Sequence, residues 1–179
     1  MDITNLSEDV IKRASKIKLI LMDCDGVLTN GDLLYGINGE IIKVFNVKDG
    51  QGIATWHSLG YKTGIITGRT SKIVEQRVNE LGIKYLKMGS KDKVVDFYKI
   101  LKKSKLVSED VAYIGDDIPD LEVFKLVGLA LTVNDCHDLL INKTHYKTTL
   151  KGGSGAVREC IDLILMTKLK SSLDNKSEI

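Results

Sequence analysis

The chain has 179 residues and a mass of 19.8 kDa, 43% hydrophobic and 28% charged, which suits one soluble globular domain. No apolar run approaches the roughly 18 residues that a membrane span needs, and the polar, acidic opening MDITNLSEDVIKR does not read as a secretory signal. Lys and Arg number 26 against 24 Asp and Glu, a net charge of +2, so nothing electrostatic points to nucleic acid as a partner.

Ser7–Ile17 reads as a short amphipathic helix: Ser7 caps it, acids fill the first turn, and Val10, Ile11, Ala14 and Ile17 share a face. KLILMD (Lys18–Asp23) is too short and too apolar for a helix and suits a strand buried on both faces. Similar runs recur at Tyr61–Thr67, Ile83–Met88, Val111–Gly115 and Leu129–Val133. Helical patterns separate them at Gly52–Leu59, Ser71–Leu81, Lys91–Lys103 and Leu121–Leu126. This alternation predicts an α/β fold, a Rossmann-like parallel sheet with helices on both faces. A last helix is expected over Gly155–Leu169, with a mobile polar tail over about 170–179. One segment, about 29–46, breaks the pattern. Its apolar runs flank Asn38-Gly39, which predicts a β-hairpin with a type I′ turn. A lone hairpin is marginal in water, and Leu33, Tyr35, Ile41 and Val44 need a packing surface, most simply a second copy of the chain.

Loops leaving the C-terminal ends of parallel strands collect on one edge. Asp23, Asp25 and Gly26 leave the first strand, and Thr67, Gly68 and Arg69 the second. Lys93 follows the third strand at the start of a helix, and Asp116 and Asp117 the fourth, with Asp120 close behind. Clustered carboxylates repel one another unless a cation sits among them, and oxygen donors alone favour Mg²⁺. Carboxylates, a lysine and a threonine hydroxyl together describe a phosphoryl-transfer site. With no Ser-His pair and no P-loop, the nucleophile is expected to be a carboxylate. Asp23 is assigned the attack on phosphorus. Asp25 is assigned protonation of the leaving oxygen and then deprotonation of water, which requires its carboxyl to stand clear of the metal.

DCDGVLT, IITGR, Lys93 and GDDIPD match in order the four motifs of the haloacid dehalogenase superfamily of phosphatases. From about Ile17 to Leu165 the chain resembles the 3-deoxy-D-manno-octulosonate 8-phosphate (KDO 8-phosphate) phosphatases. The hairpin, FNVKDGQGI (Phe45–Ile53), TGR, VAYIGDD and GGSGAVRE (Gly152–Glu159) carry the resemblance. It implies hydrolysis of a sugar-acid phosphate on the way to lipopolysaccharide, Mg²⁺ as cofactor, and a homotetramer built on the hairpins. It implies Asp23, Asp25 and Asp116 at the metal, with Asp117 and Asp120 behind them. Against the substrate it places Asp25, Asn46, Val47, Lys48, Asp49, Gly50, Gly68, Arg69, Arg77 and Lys93. Too little chain lies between the motifs for a cap domain, and the resemblance implies that a neighbouring subunit's hairpin and C-terminal tail wall the site instead. Ala54 and Met88 stand where the family carries a basic residue and a glutamine, which bears on sugar-acid specificity.

Two other readings compete. A nine-carbon sugar-acid phosphatase is disfavoured by Arg69 and Lys48. A phospho-acceptor module, or a non-catalytic binding relative, is disfavoured by the order of the acidic motifs and by the full set of catalytic positions. The remaining residues are read plainly. His57, His137 and His145 have no ligand spacing, and Trp56 belongs to the core or an interface. GGSG is a turn before the last helix. Cys24, Cys136 and Cys160 are thiols in a reducing compartment, so a cytoplasmic location is expected.

Overall fold

The computed structural model describes residues 6–177, with side chains through Leu173. Helix α1 (Glu8–Lys16) starts where Ser7 Oγ accepts the Val10 N–H at 3.3 Å. Strands β1 (Leu19–Met22), β4 (Lys62–Ile66), β5 (Tyr85–Lys87), β6 (Val111–Gly115), β7 (Leu129–Thr132) and β8 (Tyr146–Lys147) form one sheet. Their order is β5-β4-β1-β6-β7-β8, and every pairing is parallel. β1 lies at the centre, with Leu19 opposite Lys62 on one side and Val111 on the other.

Every residue of β1 is buried, as are all five of β6. Side chains of that kind each contribute about 1.5–3 kcal/mol on burial, which anchors the strand ends and the polar residues that follow them. Helices α1 and α2 (Val47–Ser58) pack on α6 (Ala156–Ser177), while α4 (Lys93–Ser104) packs on α5 (Leu121–Phe124). Helix α3 (Lys72–Leu81) joins β4 to β5. The chain winds outward from β1 through β4 to β5, then returns to β6 on the other side of β1. That reversal opens a crevice at the carboxyl ends of β1 and β6, where sheets of this kind bind ligands.

Four elements depart from expectation. Helix α2 begins at Val47, five residues early, because Asn46 Oδ1 caps it by accepting the Lys48 N–H at 2.8 Å. Gly50 and Gly52 mask this in the sequence, since glycine is a poor helix former. They are needed for packing: a Cβ would lie 2.6 Å from Arg77 at Gly50 and 2.8 Å from Arg158 at Gly52. Helix α6 runs on to Ser177, as no glycine or proline interrupts it. β8 is two residues long and depends on β7 for its pairing. The hairpin, β2 (Leu34–Gly36) with β3 (Gly39–Ile42), forms as expected but turns differently. Its tip residues are Ile37 and Asn38, and only Gly39 has positive φ (+106°), so the turn is not a type I′ turn on Asn38-Gly39. Leu33, Tyr35, Ile37, Ile41 and Val44 are exposed on it.

Candidate active site

A cleft of about 860 Å³ lies over the carboxyl ends of β1, β4 and β6. Asp23 follows β1 directly, its N–H donating to Ile114 O of β6 at 2.9 Å. Its Oδ1 accepts the Cys24 N–H at 2.6 Å, and its Oδ2 meets the Lys93 ammonium at 2.5 Å. Lys93 is the first residue of α4, which Asp92 caps through the N–H groups of Val94 and Val95. The same ammonium donates to Asp120 Oδ1 at 2.6 Å.

Asp120 is fully buried and fully engaged. Tyr113 donates its hydroxyl to Oδ1 at 2.7 Å, and the N–H groups of Asp116 and Asp117 reach Oδ2 at 3.0 and 3.2 Å. Asp117 turns away to cap the short helical turn Ile118–Asp120. Asp116 follows β6, and its buried Oδ1 has no hydrogen-bond partner. One carboxylate oxygen each from Asp23, Asp116 and Asp120 lies within 4.8 Å of the others. Thr67 and Gly68, after β4, line the cleft opposite.

The electrostatics fit a missing positive charge. Burial, then the carboxylates of Asp23 and Asp120, push the Asp116 pKa up to about 8 against the partial opposition of Lys93. Burial likewise raises Asp23, with Lys93 opposing. Burial would lower Lys93, but Asp120 and Asp23 outweigh it and keep the ammonium charged. An orphaned carboxylate oxygen beside a second carboxylate is what a hard divalent cation satisfies. Since the hydrogen bonds of Asp120 are already spent on four donors, the groups left to hold such an ion are Asp23 and Asp116. Cys24 is buried, and burial drives its thiol pKa upward, so it is no nucleophile.

No protein-family model matches the chain. The curated KDO 8-phosphate phosphatase KdsC of Yersinia pestis is 46% identical over 165 residues, covering 92% of this chain and 88% of its own. The crystal structure of the Y. pestis enzyme superimposes with a TM-score of 0.90, covering 92% and 89% of the two chains. The chain belongs to the KDO 8-phosphate phosphatase family. Another member, from Moraxella catarrhalis and solved with magnesium, phosphate and KDO, matches with a TM-score of 0.87 at 35% identity, covering 96% of this chain and 98% of its own.

Against the expectations for a KDO 8-phosphate phosphatase, the structure brings Asp23, Asp25, Thr67, Gly68, Arg69, Lys93, Asp116 and Asp117 to one cleft. The two duties assigned to Asp25 compete, and its carboxylate lies with Lys43 and Arg69 rather than in the acidic triad. Asn46, Val47, Lys48, Asp49, Gly50 and Arg77 do not line this cleft. Val47 and Lys48 are exposed, and Asn46 donates to Gly153 O at 3.3 Å. Asp49 turns inward, accepting the N–H groups of Gly155 at 3.3 Å and Arg158 at 2.8 Å at the start of α6. Arg77 pairs with Glu80 at 3.2 Å and lies over the Phe45 ring.

Sequence reasoning missed Tyr35, Glu40, Lys43 and Ser71. Tyr35 bonds Arg69, Glu40 bonds Ser71, and Lys43 bridges Asp25 and Glu40, so the hairpin reaches the cleft of the same chain. Burial would lower the Lys43 pKa, but its bonds to Asp25 and Glu40 raise it. The available signal was two charged residues set in the apolar run GEIIKVF. The histidines are structural: His57 bonds Thr63, while His137 and His145 accept the N–H groups of Leu139 and Ala130. Trp56 is core, stacked on Tyr61.

Proposed function

We propose that the chain is a Mg²⁺-dependent phosphatase that hydrolyses KDO 8-phosphate to the free sugar acid and phosphate, in the pathway to lipopolysaccharide. The observation that carries this is the meeting of Asp23 and Asp116 beside the Lys93 ammonium, with one oxygen of Asp116 lacking any partner. The M. catarrhalis relative was solved with magnesium, phosphate and KDO, a divalent metal and both products of such a reaction. Magnesium bound between Asp23 and Asp116 would offset the negative charge of nucleophile and phosphate.

The protein's own groups do the rest. Asp23 attacks phosphorus through one carboxylate oxygen, and the bond from phosphorus to the sugar oxygen breaks. Asp25 gives its proton to that oxygen, releasing the sugar acid and leaving an aspartyl-phosphate. Water then attacks phosphorus, Asp25 takes the water proton, and the phosphorus bond to Asp23 breaks to free phosphate. Lys93 holds Asp23 in line and faces the transferring group as a cation, and Thr67 offers a hydroxyl to its oxygens. Asp120 fixes Lys93 and the backbone that carries Asp116.

The sugar-acid carboxylate falls to Arg69, a guanidinium at the cleft, with Arg77 and the exposed Val47 and Lys48 beside Asn46 facing substrate when subunits assemble. The exposed apolar hairpin supports a homotetramer packed on it. Removing the hairpin tip should leave a smaller species in sedimentation, and an unchanged assembly would rule out that interface. Three free, buried cysteines support a reducing, cytoplasmic location. The deciding experiment is release of inorganic phosphate from C5 to C9 sugar-acid phosphates, with and without Mg²⁺. KDO 8-phosphate should give the highest kcat/KM, and activity should vanish with chelator. A preference for a nine-carbon acid would reassign the substrate.

A further inference from the structure

Lys43 lies one residue past β3, at the base of the hairpin, and its side chain is only 1% exposed. A buried ammonium is costly unless it is paired. Its partners are Asp25 and Glu40, the latter at 3.0 Å. Glu40 is held in turn by the Ser71 hydroxyl and lies 3.8 Å from Arg69. Arg69 is bonded to Tyr35 and stands 3.5 Å from the second oxygen of Asp25. Asp25, Glu40, Lys43 and Arg69 form a closed ring of two negative and two positive charges. Two of them come from the hairpin, one from the turn after β1 and one from the turn after β4. With the Tyr35–Arg69 bond, this ring ties the hairpin to the cleft.

Asp25 needs such a link. It sits beyond the end of β1, where no sheet pairing fixes its side chain, and an ion beside Asp23 would draw its carboxylate inward. An acid-base group in that position could not shuttle a proton to or from the substrate. We propose that Lys43 is a positioning residue for the hydrolysis, its ammonium tying Asp25 to the hairpin so that the carboxylate faces the leaving oxygen and stays clear of the metal. The hairpin thereby serves the chemistry of its own subunit as well as presenting an apolar face outward. This inference rests on the phosphatase reading.

The test compares the wild-type protein with Lys43→Met and Glu40→Gln, using KDO 8-phosphate and p-nitrophenyl phosphate. Lys43→Met should lose about 100-fold in kcat with KM within about threefold of wild type, because a misplaced acid-base group costs rate rather than binding. Glu40→Gln, which loosens the far side of the ammonium, should lose about tenfold. Nitrophenolate leaves without a proton, so Lys43→Met should release a burst of about one nitrophenolate per site and then turn over slowly. A mere loss of folded protein would shrink burst and steady rate together. Rates within about twofold of wild type in both variants, or a rise in KM with kcat kept, would overturn the proposal. If Lys43→Met gives no cooperative melting transition, Glu40→Gln decides on the same criteria. An inactive wild type would sink the phosphatase reading itself, whereas an active wild type with unaltered variants sinks only the role of Lys43.

Discussion

Asp120 distinguishes an anchor from a metal ligand, and its replacement by asparagine has a calculable cost. The carboxylate is fully buried and accepts four hydrogen bonds, two at each oxygen. Asparagine offers one accepting oxygen and one donating NH₂ group. If the NH₂ replaces Oδ1 it points at the Lys93 ammonium, and if it replaces Oδ2 it points at two backbone N–H groups. Either way buried donors lose their acceptor, at about 1–3 kcal/mol each, and Lys93 loses one of its two counter-charges. Relief of repulsion with Asp23 and Asp116 offsets part of this, leaving a net loss on the order of 3 kcal/mol. For a chain of this size that lowers the melting temperature by roughly 6–12 °C. Asp120→Asn, melted by circular dichroism in chelator and again in Mg²⁺, should show that drop in both conditions and keep its stabilisation by Mg²⁺. A melting point within about 2 °C of wild type, or loss of the Mg²⁺ effect, would refute the anchor role.

Asp23→Asn should abolish turnover while preserving the melting curve, because only a carboxylate can form the aspartyl-phosphate. Phosphate release above about one hundredth of the wild-type rate would contradict it. The folded-state pKa of Asp116, pushed up to about 8, lies well above the unfolded value near 3.9. Metal-free protein should therefore lose stability as pH rises from about 4 to about 8, and Mg²⁺ should raise the melting temperature more at pH 8.5 than at pH 6. Equal Mg²⁺ shifts at both pH values would count against Asp116 as a ligand. Asp49→Ala leaves two N–H groups at the start of α6 without an acceptor and should cost about 2–4 kcal/mol in chemical denaturation, with KM little changed. A large rise in KM at unchanged stability would show instead that this carboxylate reaches the substrate.

The parallel strands were legible because β1, β4, β6 and β7 are apolar runs bounded by polar residues, and a run of that length has few other ways to be buried. β8 was not, since Tyr146–Lys147 is a strand only through β7. Within the site, Asp23, Lys93 and Asp116 could be read from sequence because each stands immediately beyond a strand or at the first turn of a helix. Lys43 and Glu40 lack such a marker. They belong to the hairpin, and which way a two-stranded ribbon leans over a sheet depends on contacts 18 to 31 residues away, such as Lys43 with Asp25 and Glu40 with Ser71. Asp49 was grouped with its neighbours Lys48 and Gly50, yet its carboxylate serves backbone 106 residues further on.

That distant backbone gives the glycine loop before α6 a purpose the sequence hid. Gly26 has φ of +81°, and a Cβ there would sit 2.0 Å from Asp116 Oδ2, so the turn after β1 lies directly against the carboxylate that faces the metal position. On its other side, a Cβ at Gly152 would sit 1.8 Å from Gly26 O, and Gly153 donates its N–H to Val27 O at 3.0 Å. The loop is pinned from behind by Asn46 at Gly153 and by Asp49 at Gly155. Asp116, the Gly26 turn, the Gly152 loop and the first turn of α2 thus form one stack, with no room for a side chain at Gly26, Gly152 or Gly153. The start of α2 can therefore influence the chemistry through the hydrogen bonds of Asn46 and Asp49 to the glycine loop, although neither side chain lines the cleft.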